Sequence, residues 1–396
     1  MNLQEENDMD AMYDLIIIGA GPAGLAAGIY GGRAHLKTLI LEKSSIGGRA
    51  YTTREIVNYP GIPSTSGPDL TEKMAEHAEG FGVEIKREPV KSMEVTGDVK
   101  LVNTRRHQYG AKAVILATGT SARILGIPGE KELTGQGVAY CATCDAEFFQ
   151  NQHVVVVGSG DQAIEEGMFI TKFANRVTVV VLHDEGILDC NKQAAEKALN
   201  HPKMDFIWNS VLTEVCGEEQ VTGVKIKNMK TDEITDFPCD GVFFFVGMIP
   251  ETKWLPEELE KDSRGWMHVN EMMETNIPGV YAVGDVRAKY LRQVSTAISD
   301  GAVAATAAER YIEDMNDLRE MVLDSKEPVV LGFWSPEYPG SIDKIGNIET
   351  PYKVIEIDVT RKNVWAKHFQ IQLSDETPAS ALVVEHGQIK ETLKLS

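Results

Sequence analysis

A short β-branched run over residues 14–18 leads without a polar break into Gly19-Ala-Gly21-Pro-Ala-Gly24. A small-residue stretch over 25–30 follows, then a second apolar run over 38–41 that stops at Glu42. This pattern predicts strand, glycine turn, helix, strand and acid. The same order returns at 153–157, Gly158-Ser-Gly160-Asp-Gln-Ala163, 164–173 and 176–182. Two further apolar runs close on glycine: 111–119 ends at Gly119, and 279–285 ends in Gly284-Asp285, with a helical small-residue segment over 297–310 behind it. Strands and helices alternating in this way predict an α/β chain built on parallel sheets, with two dinucleotide-type units.

Each part of the first unit has a physical task. Gly19 makes the tight turn, Gly21 lets backbone approach a pyrophosphate, and Gly24 lets the helix pack close to the sheet. The helix N-terminus then holds the phosphates. Glu42, 23 residues after Gly19, is placed to accept hydrogen bonds from the ribose hydroxyls of an adenosine. Asp285 adds an acceptor for a ribityl or pyrophosphate hydroxyl. These distant pieces of chain predict one site the size of FAD. The second unit is either a second nucleotide site or the relic of one.

Composition narrows the setting. The chain has 396 residues, 43% hydrophobic and 25% charged, enough for two or three domains with cores of their own. Acids outnumber bases by 59 to 39, giving a net charge of −20. That sign opposes a phosphate backbone, so nucleic-acid binding is excluded. Residues 1–10 carry acids where a secretion signal carries bases, and the longest apolar run, 15–30, is interrupted by glycines and a proline. The expectation is a soluble cytoplasmic protein without a membrane span. Five cysteines are too few for a disulfide framework. Only Cys141 and Cys144 lie close together, and neither they nor the scattered histidines have zinc spacing. No metal is expected, and Cys190, Cys216 and Cys239 read as inert thiols.

Cys141-Ala-Thr-Cys144-Asp145 ahead of the second glycine unit, Gly284-Asp285, and Arg292-Gln293-Val294 together resemble the low-molecular-weight thioredoxin reductases, over residues 13–312. The resemblance implies two Rossmann-like, three-layer domains. One is a discontinuous FAD domain over 12–125 and 249–316; the other is an inserted nucleotide-binding-like domain over 126–248 that carries the redox pair. By the same resemblance Gly19, Gly21, Gly24, Glu42, Gly48, Asn58, Gly119, Asp285, Arg292 and Gln293 line the FAD. Cys144 exchanges electrons with the flavin, Cys141 exchanges with the disulfide of thioredoxin or a thioredoxin-like protein, and Asp145 is the acid–base group. A homodimer is implied, with an inserted domain that swings about hinges near 125–128 and 246–250. One departure is Arg49, where the family has a glutamine near the flavin. From the residues themselves, a Cys-x-x-Cys pair reaches disulfide distance when its second cysteine opens a helix, whose N-terminus favours a thiolate. Burial of Asp145 would raise its pKa and suit it to protonate a leaving thiolate.

Family members that use NADPH carry a His-Arg-Arg run after the second strand of the nucleotide domain, because guanidinium forks pair with the 2′-phosphate. Here the segment reads Leu182-His183-Asp184-Glu185-Gly186-Ile187-Leu188-Asp189. Carboxylates beside a phosphate of about −2 charge repel it, so NADPH is not the expected donor. Two donors stay open. Asp184 or Glu185 bonding a ribose 2′-hydroxyl, with Gly158, Gly160 and Ala163 at the turn, reads as NADH. A relic site reads as ferredoxin, as in the ferredoxin-dependent flavin thioredoxin reductases, and the substitutions lean toward such a loss, although the acidic balance opposes an acidic ferredoxin. His183 reads as an exposed loop histidine in preference to a nucleotide contact, and Glu165-Glu166 matches the family while a solvated helix face explains it equally well.

Beyond residue 317 that pattern ends, and residues 325–396 resemble a thioredoxin domain. An apolar run over 328–334 ends in Phe333-Trp334, a strand follows over 352–358, and Thr377-Pro378 precedes a strand over 381–384 entered through a cis proline. Tyr338 and Ser341 stand where two redox cysteines belong, so this degenerate module exchanges no disulfide. It reads as a structural domain packed on the reductase or extending a dimer interface; a sharper alternative has it mimic a docked thioredoxin. The expected function is a flavoprotein disulfide reductase. The alternatives are an FAD-containing redox sensor that uses the thiol-less module for binding, and the flavoprotein of a peroxide-reducing system, whose thioredoxin-like part precedes the reductase and keeps its cysteines.

Overall fold

The computed structural model describes residues 11–53 and 56–395, with the side chains of Thr143 and Cys144 outside that set. The acidic segment 1–10 also lies outside the described residues. The first glycine unit forms β1 (Ala11–Ile18), α1 (Pro22–Arg33) and β2 (Thr38–Glu42). Then come α2 (Gly48–Tyr51), α3 (Gly67–Gly80), β3 (Glu84–Arg87), β4 (Ser92–Glu94), β5 (Lys100–Asn103) and β6 (Gln108–Leu116). β1 lies between β2 and β6, parallel to both. Residues 15–18 are buried, which is why they read as an unbroken apolar run. α1 is rich in small residues because the chain presses close on it: a Cβ on Gly24 would stand 1.9 Å from the Gly19 carbonyl oxygen.

After β6 the chain leaves through β7 (Thr120–Ala122) for a second body. This contains β8 (Val138–Ala139), α4 (Ala142–Asp145), β9 (His153–Val157), α5 (Asp161–Ile170), β10 (Arg176–Val180), α6 (Lys192–Leu199) and β11 (Met204–Ile207). It continues with β12 (Ser210–Gly217), β13 (Val221–Asn228), β14 (Ile234–Pro238) and β15 (Gly241–Phe244). A five-stranded sheet has the order β11-β10-β9-β15-β8, all neighbours parallel, and β12–β14 make an antiparallel sheet of their own. β16 (Met248–Pro250) brings the chain back antiparallel to β7, with Pro250 opposite Thr120. The Arg123 N–H extends the pairing by donating to the Gly247 carbonyl at 3.0 Å. Both crossings between the bodies therefore run side by side as one ribbon. β17 (Val280–Ala282) re-enters the first sheet beside β6, completing seven strands. α7 (Val294–Leu318) packs on α1, where a Cβ on Gly301 would meet the Ala23 carbonyl oxygen at 2.1 Å.

α7 runs on into a π-helical stretch, Arg319–Leu323. The last unit holds β18 (Val329–Trp334), α8 (Ser341–Gly346), β19 (Lys353–Asp358), α9 (Asn363–His368), β20 (Ala379–Glu385) and β21 (Gln388–Leu393). Its sheet has the order β19-β18-β20-β21, parallel between β18 and β19 and antiparallel elsewhere. The core of this unit is shared: Leu318 and Val322 cluster with Leu331, Phe333, Ile357 and Trp365. Trp365 Nε1 donates to the Asp314 carbonyl at 2.9 Å, and Lys362 pairs with Asp314 and Asp317. Two expectations are corrected. No cis peptide occurs among the described residues, so Pro378 is entered through a trans bond. The helix expected over 297–310 reaches Leu318, because Gln293 and Thr296 form a capping box at its start and its last turns pack into the C-terminal core.

Candidate active site

At the first glycine turn Gly19 has φ +112°, a conformation open to glycine, and the Ala20 N–H donates to Glu42 Oε2 at 2.7 Å. Glu42 is only 6% exposed, and its other oxygen accepts the N–H and hydroxyl of Ser44 at 2.8 and 3.1 Å. Its carboxylate is thus fixed on the residue between the two glycines. No atom lies within 4 Å of a Cβ built on Gly21 or Gly119, whereas Gly48 comes up against Gly21. Asn58 Nδ2 donates to Gln293 Oε1 at 3.1 Å, tying this region to the start of α7.

Asp285 sits in a single 3-10 turn after β17, and Asp300 on α7 supports that turn. The Asp300 carboxylate accepts the Gly284 N–H at 3.0 Å, Arg287 Nε and Nη2 at 2.8 and 2.7 Å, and Lys289 Nζ at 3.0 Å. Burial opposes the Asp300 charge, yet the bonds from Arg287 and the charge of Lys289 hold its carboxyl below the usual range. Arg292 lies over the Trp266 ring, 3.8 Å from its centroid. Asp285 Oδ1, Thr118 Oγ1 and Arg292 Nε are buried with no hydrogen-bond partner among the described residues. Each such atom costs about 1–3 kcal/mol, so their gathering at an open glycine turn calls for a polar ligand.

Arg49 in α2 donates through Nη1 to Thr120 Oγ1 at 3.3 Å. Burial lowers its pKa, opposed by the charges of Asp285 and Glu166. Glu166 belongs to α5 in the inserted body, so this charge contact crosses between the bodies. Burial pushes its carboxyl up to about 7 against the pull of Arg49, and Oε2 has no hydrogen-bond partner among the described residues. Of the two readings for this pair, a solvated face describes the exposed Glu165, whereas Glu166 is half-buried within reach of the Arg49 charge.

Cys141 is disulfide-bonded and caps the N-terminus of α4 in an extended conformation. Cys144 is the third residue of that helix, and its side chain lies outside the described residues. The expectation that the second cysteine opens the helix is therefore corrected: Ala142 starts it, and Cys141 stands at the boundary. Asp145 is half-buried, and burial raises its carboxyl. Cys190, Cys216 and Cys239 are free, and burial pushes the Cys239 thiol up to about 12. Phe148, 78% exposed just beyond α4, is absent from the sequence expectations. Its signal was the Phe148-Phe149 pair, of which only Phe149 enters the core.

At the second turn Gly158 has φ +131°, Gly160 faces open space and Ala163 is buried. Asp184 pairs with Lys230 from the β13–β14 turn. Asp189 instead folds back onto the turn: its N–H donates to the Ser159 carbonyl at 2.9 Å, and its Oδ2 accepts the Ser159 hydroxyl at 2.7 Å and lies 2.7 Å from His183 Nε2. Asn191 fastens the same loop, its N–H and Nδ2 donating to Asp161 Oδ1 at 2.7 and 2.9 Å.

Among the described residues no cluster of three potential ligands could hold a metal, and no helix is long and apolar enough to cross a membrane. The model of the pyridine nucleotide-disulphide oxidoreductase family matches residues 13–301. Thioredoxin reductase of Peptoclostridium litorale is 46% identical over 314 residues, which is 78% of this chain and 99% of that protein. The chain belongs to the thioredoxin reductase family. Among solved structures, Lactococcus lactis thioredoxin reductase in its FR conformation aligns with a TM-score of 0.73 at 42% identity, over 76% of this chain and 99% of that one. The T. acidophilum thioredoxin reductase aligns with a TM-score of 0.70 at 32% identity, over 77% of this chain and 99% of that one. The protein is accordingly an oxidoreductase and a flavoprotein disulfide reductase, of a family that uses FAD. Its open turn at Gly21, the fixed Glu42 carboxylate and the atoms of Asp285, Thr118 and Arg292 that lack a hydrogen-bond partner among the described residues fit that cofactor. The C-terminal unit lies outside the residues matched by the family model.

Proposed function

We propose that the chain is a thioredoxin reductase that draws its electrons from NADH and not from NADPH. The observation that carries the donor is the second glycine turn. Its backbone is preserved, Gly160 is open, and residues 181–191 present Asp184, Glu185 and Asp189 with no lysine or arginine. Carboxylates at such a turn suit a ribose with a free 2′-hydroxyl and repel a 2′-phosphate. The leaning toward ferredoxin rested on substitutions that read as loss. A preserved turn supports retuning instead, and a net charge of −20 opposes an acidic protein donor.

In this reading Gly19, Gly21, Gly24, Glu42, Gly48, Asn58, Gly119, Asp285, Arg292 and Gln293 hold FAD, which when bound relays two electrons between nicotinamide and disulfide. Two electrons and two protons open the Cys141–Cys144 bond to two thiols, with Cys144 on the flavin side. Cys141, its proton passed to water, attacks the thioredoxin disulfide as a thiolate, forming a mixed disulfide and releasing a thiolate that Asp145 protonates. The Asp145 carboxylate then takes the Cys144 proton, and water returns the Cys141 proton to the second partner thiolate. Attack by Cys144 on Cys141 releases the reduced partner and restores the pair. The raised Asp145 carboxyl favours holding the proton this step needs. One cysteine pair cannot face both the flavin and a protein, so the inserted body swings on the β7·β16 ribbon.

Residues 325–396 are read as a degenerate thioredoxin-like domain, supported by a parallel β18–β19 pair flanked by antiparallel β20 and β21. Ser341, 1% exposed, donates to the Ser335 carbonyl at 2.7 Å where a thiol would stand. Its seat on the end of α7 supports a packing role over mimicry of a docked thioredoxin. Homodimer formation and a cytoplasmic location follow from the resemblance. The test mixes anaerobic, FAD-loaded protein separately with NADPH, NADH and reduced ferredoxin and follows flavin bleaching. Rapid bleaching by NADH is expected; bleaching by ferredoxin alone, or equally by NADPH, overturns the donor assignment.

A further inference from the structure

The chain carries two glycine turns, and the first shows where an acid stands when it serves one. There the Glu42 carboxylate accepts the N–H of Ala20, the residue between Gly19 and Gly21, at 2.7 Å. At the second turn the residue between the glycines is Ser159, and its hydroxyl donates to Asp189 Oδ2 at 2.7 Å. The Asp189 N–H donates to the Ser159 carbonyl at 2.9 Å, and its backbone bridges Gly160. The two carboxylates thus address corresponding residues of their turns while arriving by different routes. Glu42 is the last residue of β2, whereas Asp189 comes from a loop that leaves β10 at Val180 and folds back. Asp184, nearer the end of β10, is drawn to Lys230.

We infer that Asp189, and not Asp184, accepts the adenosine ribose hydroxyls of the nicotinamide dinucleotide and turns away a 2′-phosphate. This rests on the NADH reading above. Oδ2 of Asp189 is engaged by Ser159 and His183, which leaves Oδ1 as the free acceptor. The side chain is 56% exposed, so a ligand reaches it, while Ser159 is buried and holds its hydroxyl in place. Hydrogen bonds from Ser159 and His183 keep the Asp189 carboxyl below its usual range, so at neutral pH it accepts and does not donate. A 2′-phosphate at that distance meets a like charge.

Isothermal titration of NAD⁺ and NADP⁺ into FAD-loaded protein tests the assignment without relying on turnover. Asp189→Asn weakens NAD⁺ binding about tenfold or more, equivalent to about 1.4 kcal/mol, and leaves NADP⁺ binding unchanged or tighter. Asp184→Asn keeps NAD⁺ affinity within about twofold, and Asp189→Arg reverses the preference between the two nucleotides. Circular dichroism and the flavin spectrum report that each variant is folded. Undiminished NAD⁺ binding in Asp189→Asn overturns the assignment alone, as does an equal loss for both nucleotides, the mark of a merely structural role. Wild-type protein that binds neither nucleotide overturns the NADH reading and the assignment with it.

Discussion

Asp300 is the most exposing place to test the flavin-side architecture. Its side chain is 5% exposed and accepts four hydrogen bonds, from Gly284, twice from Arg287 and from Lys289. Asp300→Ala leaves a backbone N–H, the buried Lys289 ammonium and the half-buried Arg287 guanidinium behind, with a 3.7 Å contact to Asp285 and a 3.4 Å bond to Thr296 to relieve Lys289. Breaking a buried ion pair by removing one partner costs about 3–5 kcal/mol. For a domain of this size each kcal/mol moves the midpoint by roughly 2–4 °C, so a fall of about 6–20 °C is expected. The assay follows thermal unfolding by circular dichroism and by release of flavin fluorescence; the second signal falls at least as far, because the Gly284 bond positions Asp285. The folded carboxyl is depressed, so its contribution is present above the unfolded value and is lost as pH falls through the folded one. The gap between wild type and variant therefore begins to close below about pH 4. A midpoint shift under about 2 °C at neutral pH, or a gap that widens on acidification, refutes the reasoning.

The raised Glu166 carboxyl, at about 7, contributes stability that is fully present below its unfolded value and lost as pH rises through 7. Glu166→Gln flattens the stability-against-pH profile between about 4 and 7 by up to about 3 kcal/mol, and an unchanged profile counts against the burial of this carboxyl. Gly24→Ala forces a Cβ to 1.9 Å from the Gly19 carbonyl oxygen, backbone against backbone; the expected outcome is protein purified without flavin, checked by its visible absorbance. Cys141→Ser abolishes thioredoxin reduction but leaves donor-driven bleaching of the flavin, which stopped-flow absorbance separates. Deleting residues 325–396 bares Leu318 and Val322 at the end of α7, so aggregation rises in light scattering and the midpoint falls; a stable, monodisperse product sinks the packing role.

The first glycine unit was legible because its signals are local. Glu42 ends a strand at ordinary spacing, and a buried strand announces itself as an apolar run. Asp189 was not legible: it is one of three acids in one loop, and what separates it is the Ser159 hydroxyl on one side and the removal of Asp184 by Lys230, 46 residues away, on the other. Glu166 looked like half of a solvated pair because helix periodicity knows nothing of Arg49 in another body. The reach of α7 to Leu318 escaped for a related reason, since Leu318 is apolar toward partners that come later in the chain. Contacts between bodies leave no period in the sequence, and they account for most of what was missed.

The return of the chain through β16 has a consequence for synthesis. α1 emerges early, yet α7, which covers its Ala23 face, is made only after the whole inserted body. At translation rates of about 5–20 residues per second, that face waits for tens of seconds, long enough for the inserted body to fold first. Asp285 and Gln293 also appear only then, and the end of α7 still waits for the C-terminal strands to shield it. The Ala23 flank of α1 thus stays uncovered through most of the chain's synthesis.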